Sequence, residues 1–553
     1  MQEDKMVDLP VDPVRRAMVG MTPMMLLTAS DRTAASALMA ADRVASDARQ
    51  TMFAADFGIT GRHGVDETRQ VQAFLDACTR AGGRIAHFGG MRVRISGPLI
   101  ARNVGIVFDR QSYGVEDPGF QVSGSGYTAL TVTGLVPDFN VAIYGSGEAT
   151  FDGNGRIARD TRPAVNGFQF GHPDGREPLM SSLIRYARAY KLSGFGIRHT
   201  ICFDTTFIGE SVEECGNDRH YAFEVSGSAT GNCNESVWLR VQVELAVSQA
   251  IYIDPNTLMC LFAKIHSERA TAIAGRPTWL LGGSCEFASV RCQANNPDTA
   301  TMRIVSAQAE CRNFRIEGNI PVEIDATGGI INLDNPIATL TPVANQNGRV
   351  NVTGGQVRAM AIGAEWTFVG TRLDLLEVGY MPPGLHSVAM SCDIRTLRPQ
   401  QGRYDGEIIL QSSRASGTTA TAEGRLRHLH LLGGSRFVAS GGPLRIVNQT
   451  VTIDAASHVA GSVVVRQAAL RLFGRIDGDL TIEGPPQSLA GSEAMVTGRV
   501  VGWDRPRATD TLGDVPNGTY CKHLSPSRET LRSGSRLVTG WIRAERDWVA
   551  LTA

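Results

Sequence analysis

Apolar and polar residues alternate along most of this chain, and between Asn234 and Thr327 the alternation repeats as four rows. Trp238, Cys260, Cys285 and Cys311 each stand five residues before Val243, Ile265, Val290 and Ile316, with 22, 25 and 26 residues between rows. Each row closes on a second short apolar run: Ala250 to Ile253, Thr271 to Ala274, Met302 to Val305, and Val322 to Ile324. Period-2 alternation inside a repeat of that length predicts a β-solenoid. A single rung cannot bury its own apolar face, so neighbours stack and share one core. The offset of five is odd, so a bend or bulge must fall between the two inward positions of each row. The outward residues then form columns, one of which reads Glu244, His266, Arg291, Glu317. Stacked strands lie about 4.8 Å apart, so these side chains are expected to share one surface stripe.

Taken in order, residues 1–52 lack β alternation, and Ala-rich Ser30 to Gln50 predicts one helix with Ser30 as N-cap. This stretch is an expected attachment or leader segment. Arg15 and Arg16 precede an apolar run, but Gly20, Pro23 and the acidic start argue against a signal peptide. Residues 53–425 are expected to form the solenoid. A polar excursion is placed from Ile157 to Tyr190 and an acidic loop from Glu210 to His220, and long insertions of this kind usually map to the binding face. Shorter strands at Leu444 to Val447, Val451 to Asp454, Ser462 to Val465, Leu470 to Phe473 and Leu480 to Ile482 suggest a separate β module over 426–503. The last part, 504–553, alternates around Trp541 and Trp548 and suits a terminal cap, a trimerisation element or a sugar-binding segment.

The stretch Ala55 to Pro98 reads ADFGITGRHGVDETRQVQAFLDACTRAGGRIAHFGGMRVRISGP. It holds a turn-rich loop, then a helix with Val71, Phe74, Leu75 and Cys78 on one face, then Gly82, Gly83 and two short strands. It resembles the opening of the pectate-lyase-like superfamily of right-handed parallel β-helices, where a DFG-containing loop leads into such a helix. Arg62, His63 and Glu67 depart from that pattern. The resemblance implies an all-β, right-handed parallel β-helix with an N-terminal capping helix, covering the exposed first rung. Tyr144 to Arg156 resembles the strand and turn preceding the active region of polygalacturonases and tailspikes. Asp152 itself is better read as a turn residue, and the NTD, GDD and GHG signatures of polygalacturonases do not follow.

Composition narrows the chemistry. The net charge of −1 gives no electrostatic case for nucleic acid or a charged membrane, and no stretch approaches the length of a membrane span. The ten cysteines form no CxxC pair and no zinc-like spacing, so buried thiols in a reducing compartment are expected, with no metal and no cofactor. A P-loop, a GxSxG elbow and a dinucleotide fingerprint are all missing.

Hydrolysis of a glycosidic bond needs two carboxyl groups at a set separation, which outward carboxylates on neighbouring rungs provide. Glu244 and Glu268 are the leading pair, within a wider set of Asp204, Glu210, Glu213, Glu214, Asp218, Glu235, Asp254 and Glu317. β-Elimination would instead need a base and a cation for the sugar carboxylate, which His266, His220, Arg219, Arg291, Lys264 and Tyr252 could supply. The catalytic candidates are therefore Glu244, Glu268, His266 and Asp218, and the substrate-binding candidates Arg291, Lys264, Arg219, Tyr252 and Glu317. Trp238, Trp279, Trp366, Tyr221, Tyr252 and Phe287 are the aromatics to check for exposure, Trp238 being expected in the core.

Cap, solenoid and terminal strands together resemble a bacteriophage tailspike or tail fibre. That resemblance implies a homotrimer in the virion tail, held to tail or baseplate proteins by residues 1–52, binding a bacterial capsule, O-antigen or exopolysaccharide and often cleaving it. A non-catalytic tail adhesin and a bacterial polysaccharide lyase or hydrolase remain the alternatives.

Overall fold

The structure, a computed structural model, describes residues 51–501 apart from 110–117, 155, 228–230, 274, 306–307, 318–319, 327–328, 344–347, 383–384, 403–405, 423, 484–487 and 492–494, together with the backbone of 520–531, 534–544 and 547–552. The chain divides into two compact units, Met1–Thr51 and Met52–Ala553. The helix expected over Ser30 to Gln50 lies outside the described residues.

The second unit is a right-handed parallel coil of stacked strands. It opens with a helix, α1 (Thr68–Arg80), which buries Val71, Phe74, Leu75 and Cys78 against the first strands, as the spacing of those residues predicts. The Glu67 carboxylate accepts hydrogen bonds from the Thr60 and Gly61 amides and ties the entry loop to the start of the helix. Phe74 meets Phe88, and Phe88 meets Phe108 and Phe120, so the helix seals the aromatic end of the core.

Each middle rung has three faces. Strands such as Phe223–Ser226, Ile251–Ile253, Trp279–Gly282 and Met302–Val305 stack on the first face. Val237 to Leu239 and Leu261 to Ala263 belong to the second, and Val241 to Glu244 and Ile265 to Glu268 to the third. The bend required between inward positions is a single residue in the left-handed region, and it recurs in a column: Gly209, Arg240, Lys264, Ser289, Asn313 and Asn335 all have φ between 49° and 69°. Inside, Phe207, Trp238, Phe262 and Phe287 stack face to face at centroid distances of 4.9, 4.5 and 5.3 Å.

Several expectations are corrected. Trp238 pairs with Phe262, not Cys260, and Phe287 pairs with Cys311, so two of the three expected alignments are off by two residues. A shift of two keeps every side chain on its side of the sheet, so alternation cannot detect it. The Cys260–Cys285 alignment holds. The second apolar run of the second row is Trp279–Gly282, which pairs with Ile251–Ile253, and not Thr271 to Ala274. Three strands of the expected excursion belong to the ladder: Ala164–Phe170, Leu183–Arg185 and Arg188–Tyr190 all pair with neighbouring rungs. Ile157–Asp160 leaves it, as a hairpin with Ala149–Phe151.

The ladder also passes position 426 without interruption. Gly406–Gln411 pairs with Leu426–Leu432, and that strand pairs with Thr450–Ile453. The final strands, Tyr520–Leu531, Gly534–Ala544 and Asp547–Thr552, form an antiparallel sheet. The nine described cysteines are free and buried, as expected of thiols acting as small apolar groups. No helix among the described residues is long and apolar enough to cross a membrane.

Candidate functional site

The third face carries two outward columns side by side. One runs Tyr144, Tyr190, Glu213, Glu244, Glu268, each paired with the next on successive rungs. The other runs Ser211, Gln242, His266, Arg291, Arg315. The expected column is thereby revised: Glu244 stands beside Glu268, Gln242 beside His266, and Glu317 lies two residues beyond Arg315. Glu317 still meets Arg291, at 2.9 Å, by a diagonal ion pair.

Glu244, His266 and Glu268 converge, with their polar atoms within 4.8 Å of one another. His266 Nε2 is 3.1 Å from a Glu268 oxygen, and the Gln242 amide donates to Glu244. Glu213, one rung before Glu244, is half-buried. Burial, reinforced by the neighbouring Glu244 and Glu214 charges, pushes its pKa above the usual carboxylate value, although Arg269 and Lys191 pull the other way. A carboxyl with raised proton affinity next to a second carboxylate is an arrangement that acid-base chemistry can use. In-register carboxylates one rung apart are separated by about 4.8 Å, near the spacing of retaining glycosidases.

Beside Glu213 the column supplies Tyr190 and Tyr144, two partly exposed rings. Tyr190 donates to a Glu214 oxygen at 3.4 Å, and Lys191 lies over its ring and 3.7 Å from Glu214. These tyrosines were missed in the sequence, because their place next to the carboxylates depends on the register of the rungs before Asn234. By contrast Trp238, Trp279, Trp366 and Phe287 are fully buried. Tyr221 and Tyr252 pack together at 5.3 Å, Tyr252 donating to Asp254 and Tyr221 to the Pro277 carbonyl. Tyr252 belongs to the first face, so it does not join Glu244.

A cleft of about 920 Å³ opens where the chain leaves the third face. Asn154, Arg156 and Asp160 of the hairpin line one side, and Ser193, Asn217, Asp218, Arg219 and Val247 the other. The hairpin is pinned by the buried Arg162, whose guanidinium pairs with Asp160 and donates to the Leu192, Glu214 and Gly216 carbonyls. Asp218 and Arg219 therefore fall in the cleft, while Lys264 is an exposed corner residue between the second and third faces. Asp152 accepts the Asn154 and Arg156 amides, which is a turn role.

Glu210, placed in the expected loop, is buried instead, and so is Glu224 beyond it. Glu210 points into the core and contacts His199 at 3.0 Å, and His199 also receives the Trp238 indole N–H at 3.3 Å. Glu224 pairs with Arg198 at 2.5 Å and accepts the Tyr221 amide, with His220 3.7 Å away. Burial raises the Glu224 pKa, but His220 and Arg198 more than offset this and leave it below the usual value.

Stacked parallel rungs behind a helical cap define the right-handed parallel β-helix class. No family model matches the sequence, and no curated protein matches it. Among solved structures the chain is similar to ORF18 of Geobacillus virus E2, at 10% identity and TM-score 0.27, covering 92% of this chain and 77% of that one. It is similar to the Dettilon tailspike protein gp208, at 10% identity and TM-score 0.31, covering 89% and 77%. It is also similar to the A-module of mannuronan C-5 epimerase AlgE4 from Azotobacter vinelandii, at 13% identity and TM-score 0.25, covering 79% and 99%.

Proposed function

We propose that this chain is a tailspike-type protein that binds a bacterial surface polysaccharide along its third face and hydrolyses it there, with Glu213 as proton donor and Glu244 as the partner carboxylate. The carrying observation is the column of Glu213, Glu244 and Glu268 on successive rungs, with the proton affinity of Glu213 raised by burial and by its neighbours. In the first step Glu213 protonates the leaving glycosidic oxygen while Glu244, steadied by the Gln242 amide, attacks the anomeric carbon. In the second step Glu213 removes a proton from water, which displaces Glu244 and restores both groups. The one-rung spacing implies retention of configuration. Tyr144 and Tyr190 offer faces for sugar rings, and Lys191, Arg269 and Arg291 suit a polymer bearing carboxylates.

One contact favours a second reading. His266, oriented by Glu268 at 3.1 Å, is placed to act as a base for β-elimination from a uronic sugar. Incubation with capsular, O-antigen and exopolysaccharides separates the readings. New reducing ends without ultraviolet absorbance from an unsaturated uronate support hydrolysis, and loss of activity in Glu213→Gln with binding retained supports the assignment. Rising absorbance moves the chemistry to His266. Binding without any cleavage overturns the enzyme and leaves an adhesin.

Attachment to phage tail or baseplate proteins through residues 1–52, a homotrimeric state and a place in the virion tail belong to the same proposal. They rest on the order of segments along the chain. Deleting residues 1–50 should leave folding and sugar binding intact while abolishing incorporation into particles, and sedimentation should give three chains per particle.

A further inference from the structure

A second convergence of side chains lies far along the coil, outside the proposed site. His428 and His430 alternate outward from the strand Leu426–Leu432. The preceding rung, Gly406–Gln411, places Glu407 opposite His428 and Ile409 opposite His430. One Glu407 oxygen is 3.1 Å from His428 Nδ1, and the other is 4.0 Å from His430 Nε2. All three donor atoms lie within 4.8 Å of one another, and each side chain is about one-third exposed or slightly less. The metal-free expectation drawn from residue spacing missed this trio, because Glu407 reaches the histidines only through a rung length that the sequence does not display.

We propose that Glu407, His428 and His430 form a binding site for a divalent transition-metal ion of the zinc type. Two imidazole nitrogens and a carboxylate are a ligand set such ions favour. Donors about 2.1 Å from one tetrahedral zinc lie about 3.4 Å from each other, and the two contacts at 3.1 and 4.0 Å bracket that value. Both imidazoles thus need only small side-chain rotations to face one ion, and partial exposure leaves a coordination position for water. His386 immediately precedes Ser387, which pairs with Ile408, so it flanks Glu407 on the rung before. Arg471 sits two rungs past His430, through Thr452, about 9.6 Å along the ladder, and its repulsion of an ion there is weakened by solvent. Because a strand pair cannot fray while both sides hold one ion, the site would also lock two rungs together.

The test uses the full chain, stripped with a chelator and titrated with Zn²⁺ in a calorimeter, with Co²⁺ as a spectroscopic probe. One equivalent per chain should bind, and Co²⁺ should give visible bands without thiolate charge transfer. His428→Gln and His430→Gln should each weaken binding at least about 10-fold, while melting like the wild type in chelator. His266→Gln should leave the affinity unchanged. No binding by the wild type overturns the proposal. Loss of binding only in His266→Gln, which would move the ion to the Glu244 trio, also overturns it, as does a thiolate signature, which would move the ion to a cysteine.

Discussion

The early and late rungs are built on the same ladder but to different lengths. Phe207 pairs with Trp238, 31 residues on, and Trp238 with Phe262 after 24. Val352 pairs with Phe368 after only 16, and Ala389 with Leu410 after 21. The early rungs enclose a stack of aromatic rings and carry a hairpin and long corner loops that line the cleft. The late rungs hold mostly aliphatic residues, such as Leu410, Leu431 and Ile453. The ladder hydrogen bonds are the same in both. The core thus varies in its side chains while the ladder is kept, and loops are added only at corners, where binding and chemistry can change without breaking the strand pairing.

The largest test of that contrast is catalytic. Glu213→Gln and Glu244→Gln should each lower polysaccharide cleavage by about 100- to 10,000-fold, measured as reducing ends released. Substitutions on the late rungs, such as Arg398→Gln, should leave the rate unchanged. Next comes the core. Trp238→Ala removes the largest ring of the stack and should cost about 3–5 kcal/mol, whereas Leu410→Ala should fall lower in its range of about 2–5 kcal/mol, both read from denaturant midpoints. Equal costs would remove the energetic half of the comparison.

Arg162→Met should cost about 3 kcal/mol, because it leaves Asp160 and three carbonyls without their buried partner. Its loss should also loosen the hairpin and reduce sugar affinity. The pH dependence is smaller. Glu224 has a folded pKa depressed below its ordinary 4.5, so its contribution is present above that value and is lost as pH falls through the lower folded one. Wild type and Glu224→Gln should therefore differ more in unfolding free energy at neutral pH than in acid. Cleavage should fall as pH rises through the elevated pKa of Glu213, since the proton donor is then lost. The smallest effect is expected from Arg398→Ala, where breaking the exposed pair with Glu377 should cost under about 1 kcal/mol.

Much of the fold was legible in the sequence. The DFG-containing entry, the apolar face of α1 and the strand alternation all follow from local patterns, and strands such as Leu444–Val447 and Leu480–Ile482 fall where alternation puts them. Registry was not legible, because Trp238 against Cys260 and Trp238 against Phe262 leave the same residues inside. That ambiguity placed Glu244 beside His266, where the structure has Glu268. The corners were hidden for another reason. Gly209 alone among the first corner residues is a glycine, and Arg240 and Lys264 take the same left-handed conformation with no sequence cue. Glu210 reads as the start of an acidic loop, yet it is buried against His199, a partner that only the folded ladder brings to it.

The column of corner residues makes the length of the coil quantised. The rungs with corners from Gly209 to Asn335 re-enter the next at the same backbone conformation, so duplicating or excising one whole turn there should let the chain rejoin its neighbours with inner and outer positions preserved. Each such event changes the reach of the protein by about 4.8 Å. Inserting a single residue within a face, by contrast, inverts everything after it up to the next corner. Growth by complete turns is therefore the route by which a molecule of this kind can lengthen its surface while keeping each stripe of side chains continuous.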